Sequence, residues 1–147
     1  MSKRILLLDL DTPCFAASAV SEERSVLVTH EPTGKQKIFK TRTEFKDRLK
    51  EKGTYDRLSE YSFKDQQEPE PVENACYILK STVSQIIKNV EADETWFFIS
   101  GEQNFRDYLP LPTRYKSNRA DALRPVLLSD VKKFAINKYK AEICNYD

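Results

Sequence analysis

The sequence predicts an α/β fold, built on a mainly parallel three-stranded sheet with flanking helices and a β-hairpin insertion. Three observations carry this prediction. Two short apolar runs, Lys3–Leu10 and Thr95–Ile99, have polar flanks and no strict alternation, the pattern of strands buried on both faces of a parallel sheet. Between them Val72, Cys76, Leu79, Val83, Ile86 and Val90 recur every three or four residues, the spacing of an amphipathic helix. A third short run, Ala141–Cys144, follows a further helical stretch, so strands and helices alternate as in α/β chains.

Taken in order, Lys3–Leu10 is the first strand, closed by Asp9 and Asp11. Pro13–Val20 is small and apolar, a short helix or turn. Ser25–His30 and Lys35–Lys40 flank Pro32-Thr33-Gly34 and read as a hairpin. Thr41-Arg42-Thr43-Glu44 has the spacing of a capping box, with Phe45 and Leu49 one turn apart behind it. A helix over residues 42–52 follows, ended by Gly53. Residues 53–71 mix charges, aromatics and prolines and read as a long surface loop. Val72–Val90 is the clearest helix. Thr95–Ile99 is the second buried strand and ends at Ser100-Gly101. Glu102–Arg124 carries few helix signals and many polar ones. Pro125 suits a first helical turn, so the last helix runs from there to Lys138, ahead of the third strand.

The 147 residues suit one domain spanning 1–147. They carry 24 Lys+Arg against 23 Asp+Glu. That balance excludes nucleic-acid binding by bulk charge and leaves only a local basic patch. Three cysteines without metal-ligand spacing fit free thiols in a reducing, cytoplasmic compartment. No apolar run reaches the roughly 18 residues of a membrane span, so no membrane partner is expected. The apolar stretch Ile5–Leu8 is too short for a signal peptide and ends in a carboxylate.

Two constellations carry chemistry. Asp9 and Asp11 stand at the end of the first strand, where carboxylates hold Mg²⁺ or Mn²⁺ through oxygen ligands. Strand alternation would point both to one side. The structural alternative is a solvated strand end or a helix cap. The second constellation is Asn104-Phe105-Arg106 followed by Arg114-Tyr115-Lys116-Ser117-Asn118-Arg119. Its cations neutralise phosphates and its tyrosine can stack on a base; a solvated loop is the alternative. His30 lacks ligand partners at metal spacing, so no metal or catalytic role is expected for it; Cys14, Cys76 and Cys144 sit in apolar surroundings and Trp96 lies in an aromatic strand, so core roles are expected for these four. One glycine after Ser100 is too little for a P-loop.

Three blocks together resemble a known family: Leu6-Leu7-Leu8-Asp9-Leu10-Asp11, then Ser100-Gly101-Glu102-Gln103-Asn104-Phe105-Arg106, then Tyr115-Lys116-Ser117-Asn118-Arg119. In order and spacing they resemble the amino-terminal half of phage-type 5′→3′ exonucleases, which belong with the flap endonucleases on a PIN-like core. The resemblance implies that Asp9 and Asp11 bind Mg²⁺ or Mn²⁺. It implies that Lys116 and Arg119 act catalytically at the scissile phosphate, and that Arg106, Arg114, Tyr115, Lys116, Asn118 and Arg119 contact DNA or RNA. Family chemistry uses two divalent ions to activate water and stabilise the leaving oxygen.

The family pattern is incomplete. Many members carry an aspartate where this chain has Ser100-Gly101. The acidic motif that supplies most of the metal site would begin after Asp147. The expectation is therefore a truncated PIN-like half-domain, inefficient as a nuclease alone, that needs a second polypeptide or self-association to complete its site. The rival expectation is a non-catalytic remnant that binds a protein or nucleic acid and regulates, inhibits or recruits a nuclease or replication protein. A phage origin would place it in the host-cell cytoplasm.

Overall fold

The computed structural model describes residues 2–102, 105–113, 116 and 122–145. The regular elements are β1 (Ile5–Asp9), α1 (Asp11–Val20), β2 (Glu22–His30), β3 (Lys35–Phe39), α2 (Arg42–Glu51), β4 (Tyr61–Pro69), α3 (Val72–Val90), β5 (Glu94–Ser100), α4 (Leu128–Tyr139) and β6 (Glu142–Cys144). Short 3-10 helices span Tyr55–Glu60 and Phe105–Tyr108. The chain divides into two compact units, one of Met1–Ser21 with Glu70–Asp147 and one of Glu22–Pro69.

The first unit is the expected α/β layer. Its sheet has the order β1-β5-β6, and both pairings are parallel. Leu7 lies beside Trp96 and Asp9 beside Phe98, while Ser100 lies beside Cys144. Helices α1, α3 and α4 pack around one core. Leu8 and Ile99 enter it from the strands, Leu10, Cys14 and Ala17 from the start of α1, Leu79 and Val83 from α3, and Val131 and Ala135 from α4. Phe97 stacks on Tyr139 with ring centroids 4.7 Å apart.

Among the described residues only one face of this sheet is packed in that way. Leu7 is 63% exposed, Trp96 51% and Ile5 50%. The expectation that β1 is buried on both faces is therefore wrong, and so is a core role for Trp96. Even-numbered side chains of β1 point to the helices and odd-numbered ones point away. The apolar run Ile5–Leu8 carries no polar residue to mark the open side. Trp96 instead donates its Nε1–H to Glu94 Oε1 at 2.6 Å.

The second unit is a three-stranded antiparallel sheet of order β3-β2-β4. The hairpin is present as expected. His30 O accepts the N–H groups of Thr33 and Gly34, and Gly34 has φ 68°. The N-cap half of the capping box forms, while its glutamate reaches one residue further back than the N-cap. Glu44 N–H donates to Thr41 Oγ1 at 3.1 Å and the Glu44 carboxylate accepts from Lys40 N–H. Helix α2 ends where Thr54 N–H reaches Leu49 O, with Gly53 at φ 68°, the left-handed turn that favours glycine. Phe45 meets Phe39, Tyr61 and Phe63 edge-on, at 5.1, 4.8 and 5.7 Å.

Residues 53–71 are not one loop. They contain a 3-10 helix and the nine residues of β4, all paired with β2. Edge position explains the missed strand: β4 is paired on one side only and follows Phe63 with Lys64, Asp65, Gln66, Gln67 and Glu68. Its pairing comes from the length of β2, not from its own apolar pattern. Helix α4 begins three residues after Pro125, whose carbonyl accepts the Leu128 N–H at 3.3 Å.

Candidate metal and phosphate site at the carboxyl end of the parallel sheet

Ligands of open parallel sheets bind beyond the carboxyl ends of the strands. Here those ends are Asp9, Ser100 and Cys144. Strand β1 runs into α1 with a single residue between them. That residue, Leu10, is fully buried and donates its N–H to Phe98 O at 2.8 Å. This anchor holds the two aspartates at the sheet end.

Asp11 is the first residue of α1 and not a continuation of the strand. The strand-alternation argument for the pair therefore fails, yet a different contact joins them. Asp11 N–H donates to Asp9 Oδ1 at 2.9 Å, so Asp9 satisfies one of the orphan amides of the helix start. Both Asp11 oxygens lie 3.3 Å from the Ser100 N–H. Asp11 Oδ1 also lies 3.4 Å from Lys132 Nζ. A carboxylate in the first turn of a helix gains from the helix dipole as well. The helix-cap alternative and the cation-site reading thus share the same atoms.

Lys132 escaped the sequence reading, although a signal was present. It lies four residues after Leu128 and three before Ala135, on the side of α4 that carries the core. A lysine at that spacing is committed to a partner near the packed face.

Cys14 sits one turn into α1 beneath the pair and is fully buried. Burial pushes its thiol up to about 11, with Asp11 and Asp9 adding to the rise and Lys132 opposing it. It is a core thiol and not a nucleophile at neutral pH.

Gly101 closes β5 onto β6 through its N–H to Cys144 O at 2.9 Å. A Cβ at this position would lie 1.6 Å from Asn145 Oδ1. The glycine therefore serves the close approach of the Asn145 side chain.

The basic candidates are placed less completely. Arg106 is exposed in the 3-10 helix Phe105–Tyr108. Lys116 is exposed in a turn with φ 58°. Among the described residues, Asp11 has the Ser100 N–H and Lys132 as its partners and Asp9 has the Asp11 N–H. Arg114, Tyr115, Asn118 and Arg119 lie outside the described residues.

Magnesium is commonly held by one or two carboxylates with several retained waters. Asp9 and Asp11 are a donor pair of that kind, with Lys132 as the cation now beside Asp11. Two carboxylates alone fall short of a two-ion arrangement, and no group of three or more His, Cys, Asp or Glu converges among the described residues. Among those residues no helix is long and apolar enough to cross a membrane. Compared with known proteins, the chain matches no family model, no curated protein and no solved structure.

Proposed function

We propose that this chain is a nucleic-acid-binding protein related to the PIN-like 5′ nucleases, with a one-cation site at Asp9 and Asp11. The observation that carries the reading is the joined acid pair at the carboxyl end of a parallel sheet, backed by Ser100 N–H and Lys132. A hard divalent ion there would offer an open coordination side to a phosphate oxygen. Arg106 and Lys116, with Arg114, Tyr115, Asn118 and Arg119 of the same stretch, would supply phosphate and base contacts. With Asp9 and Asp11 as the donors for one ion, this reading derives no two-ion hydrolysis and treats the chain by itself as a binder of DNA or RNA.

A second reading has its own support. The open sheet side, where Ile5, Leu7 and Trp96 are at least half exposed, suits a second polypeptide or a second copy that completes both the layer and the metal site. Under that reading the assembled protein is a Mg²⁺- or Mn²⁺-dependent phosphodiesterase.

Fluorescence anisotropy with a labelled 5′-flap DNA tests the binding reading. Binding should fall log-linearly with salt, and Arg106→Ala or Lys116→Ala should each lower that slope by about 1. A slope unchanged in both variants, or no binding at low salt, removes the nucleic-acid assignment.

A further inference from the structure

The second unit contains a cavity of ≈ 430 Å³ that the aspartate site does not use. Strand alternation builds it. Lys35, Lys37 and Phe39 share one side of β3, and the register sets Lys35 beside His30 and Lys37 beside Val28 on β2. His30 is in turn beside Tyr61 on β4. Helix α2 covers the Phe39 end of this face through Phe45 and Leu49. It adds Arg48 to the cavity rim, and Lys52, the residue that caps its end, lies there too.

Charge is segregated in the lining. Among the described residues Lys35, Lys37, Arg48 and Lys52 line the cavity and no carboxylate does, with Glu60 and Glu44 bonded behind His30 and Arg48. This contrasts with the whole chain, where 24 basic residues face 23 acidic ones. Arg48 has Glu44 at 3.2 Å and lies over the Phe39 ring. Lys35, Lys37 and Lys52 have no ion pair among the described residues. Phe39 and Phe45 form the buried base of the cavity, with Lys37 and Arg48 over the Phe39 ring, and Tyr61 and His30 are its half-buried rings.

His30 is held in place on one side of the cavity. Its Nδ1 hydrogen-bonds Thr33 Oγ1 at 2.7 Å and its Nε2 hydrogen-bonds Glu60 Oε2 at 3.0 Å. Its ring tilts against Tyr61, centroids 4.8 Å apart. The histidine that has no metal partner in sequence is thus a fixed element of a lined cavity.

From this cavity we infer a binding site for a nucleotide unit, its phosphate among Lys35, Lys37 and Lys52 and its base against the half-buried rings of Tyr61 and His30. Bare phosphate would leave Tyr61 and His30 unmet, and an uncharged ring would leave the cations unanswered. Cavities of roughly 300–1,000 Å³ hold ligands of small-molecule size. Stacking on aromatic rings tolerates any base, so the site selects a nucleotide and not a sequence. The inference goes beyond the reading of the first unit and needs neither Asp9 nor Asp11.

The chain has one histidine, so its imidazole gives a unique NMR signal beside the cavity. The full chain is titrated at constant pH with thymidine 5′-monophosphate, thymidine, inorganic phosphate and a short 5′-phosphorylated oligothymidylate. The monophosphate should shift the His30 signals saturably. Thymidine and inorganic phosphate should each bind at least about tenfold more weakly, the loss expected for one charge-assisted contact or one stacked base. Lys35→Gln with Lys37→Gln, both exposed positions, should weaken the monophosphate at least about tenfold while the amide spectrum stays folded. An oligonucleotide tighter than the monophosphate identifies a strand end as the ligand; equal affinity identifies a free nucleotide. No saturable shift, thymidine binding as tightly as its phosphate, or an unchanged double variant overturns the inference.

Discussion

Replacing Lys132 by Met tests what holds the acid pair together. The substitution keeps a long apolar stem and removes the charge. At 3.4 Å and an effective dielectric near 20, the bare attraction to Asp11 is about 5 kcal/mol. Lys132 and Asp11 are 34% and 28% exposed at their side chains, so solvent returns most of that. A net contribution of about 1 kcal/mol is expected, the upper end for exposed pairs. Without divalent ions, Lys132→Met should therefore lower stability by about 1 kcal/mol in urea. With the competing ammonium gone, Mn²⁺ should bind about tenfold more tightly, which is about 1.4 kcal/mol. Electron paramagnetic resonance of free Mn²⁺ reads this directly, and Asp11→Asn should abolish the gain. Equal Mn²⁺ affinity in the wild type and Lys132→Met, or weaker binding in the variant, would refute a cation site that Lys132 occupies.

Three further outcomes follow from the structure. Gly101→Ala puts a Cβ 1.6 Å from Asn145 Oδ1 and 2.5 Å from its Cγ; the exposed Asn145 side chain turns away from it, so the cost in urea unfolding should stay within about 0.5 kcal/mol, and a larger loss would show that the Asn145 side chain is fixed. Thr41→Ala removes the side-chain acceptor for Glu44 N–H and should cost about 1 kcal/mol of the stability of the second unit, read from its amide exchange. The Cys14 thiol is raised to about 11 by burial, so the unfolded chain loses this proton first. Its contribution is complete below the unfolded thiol value and is lost as pH rises towards about 11. The slope approaches about 1.4 kcal/mol per pH unit. Urea midpoints at rising pH should fall accordingly, and Cys14→Ala should flatten that fall.

Much of the first unit was legible because its signals are local. Val72–Val90 matches α3 residue for residue, since a three-to-four spacing over five turns leaves one solution. The parallel sheet followed from apolar runs with polar ends. Those same runs hid the open face. Leu7 and Trp96 look like core residues in sequence, and only the placement of α1, α3 and α4 on one side shows otherwise. In the second unit the capping box and hairpin were readable, but β4 was not, because an edge strand takes its structure from its neighbour. At the candidate site, Asp9 and Asp11 were found from residue type alone. Their true link, a helix start at Asp11, depends on Leu10 being buried where the strand ends. Lys132 lies 121 positions along the chain from Asp11, and no local rule reaches that far. The cavity of the second unit was half visible in the alternation of Lys35, Lys37 and Phe39; α2 supplies the rest.

The most direct test is one mixture read twice. The purified chain is incubated with 5′-labelled flap DNA in Mg²⁺ or Mn²⁺, and the sample is run on a native gel for binding and on a denaturing gel for cleavage. A one-cation site in a binding protein predicts DNA that is retained but uncut, with cleavage no higher than in Asp9→Ala. Metal-dependent cleavage that Asp9→Ala abolishes would contradict it and show that a complete phosphodiesterase site assembles from this chain.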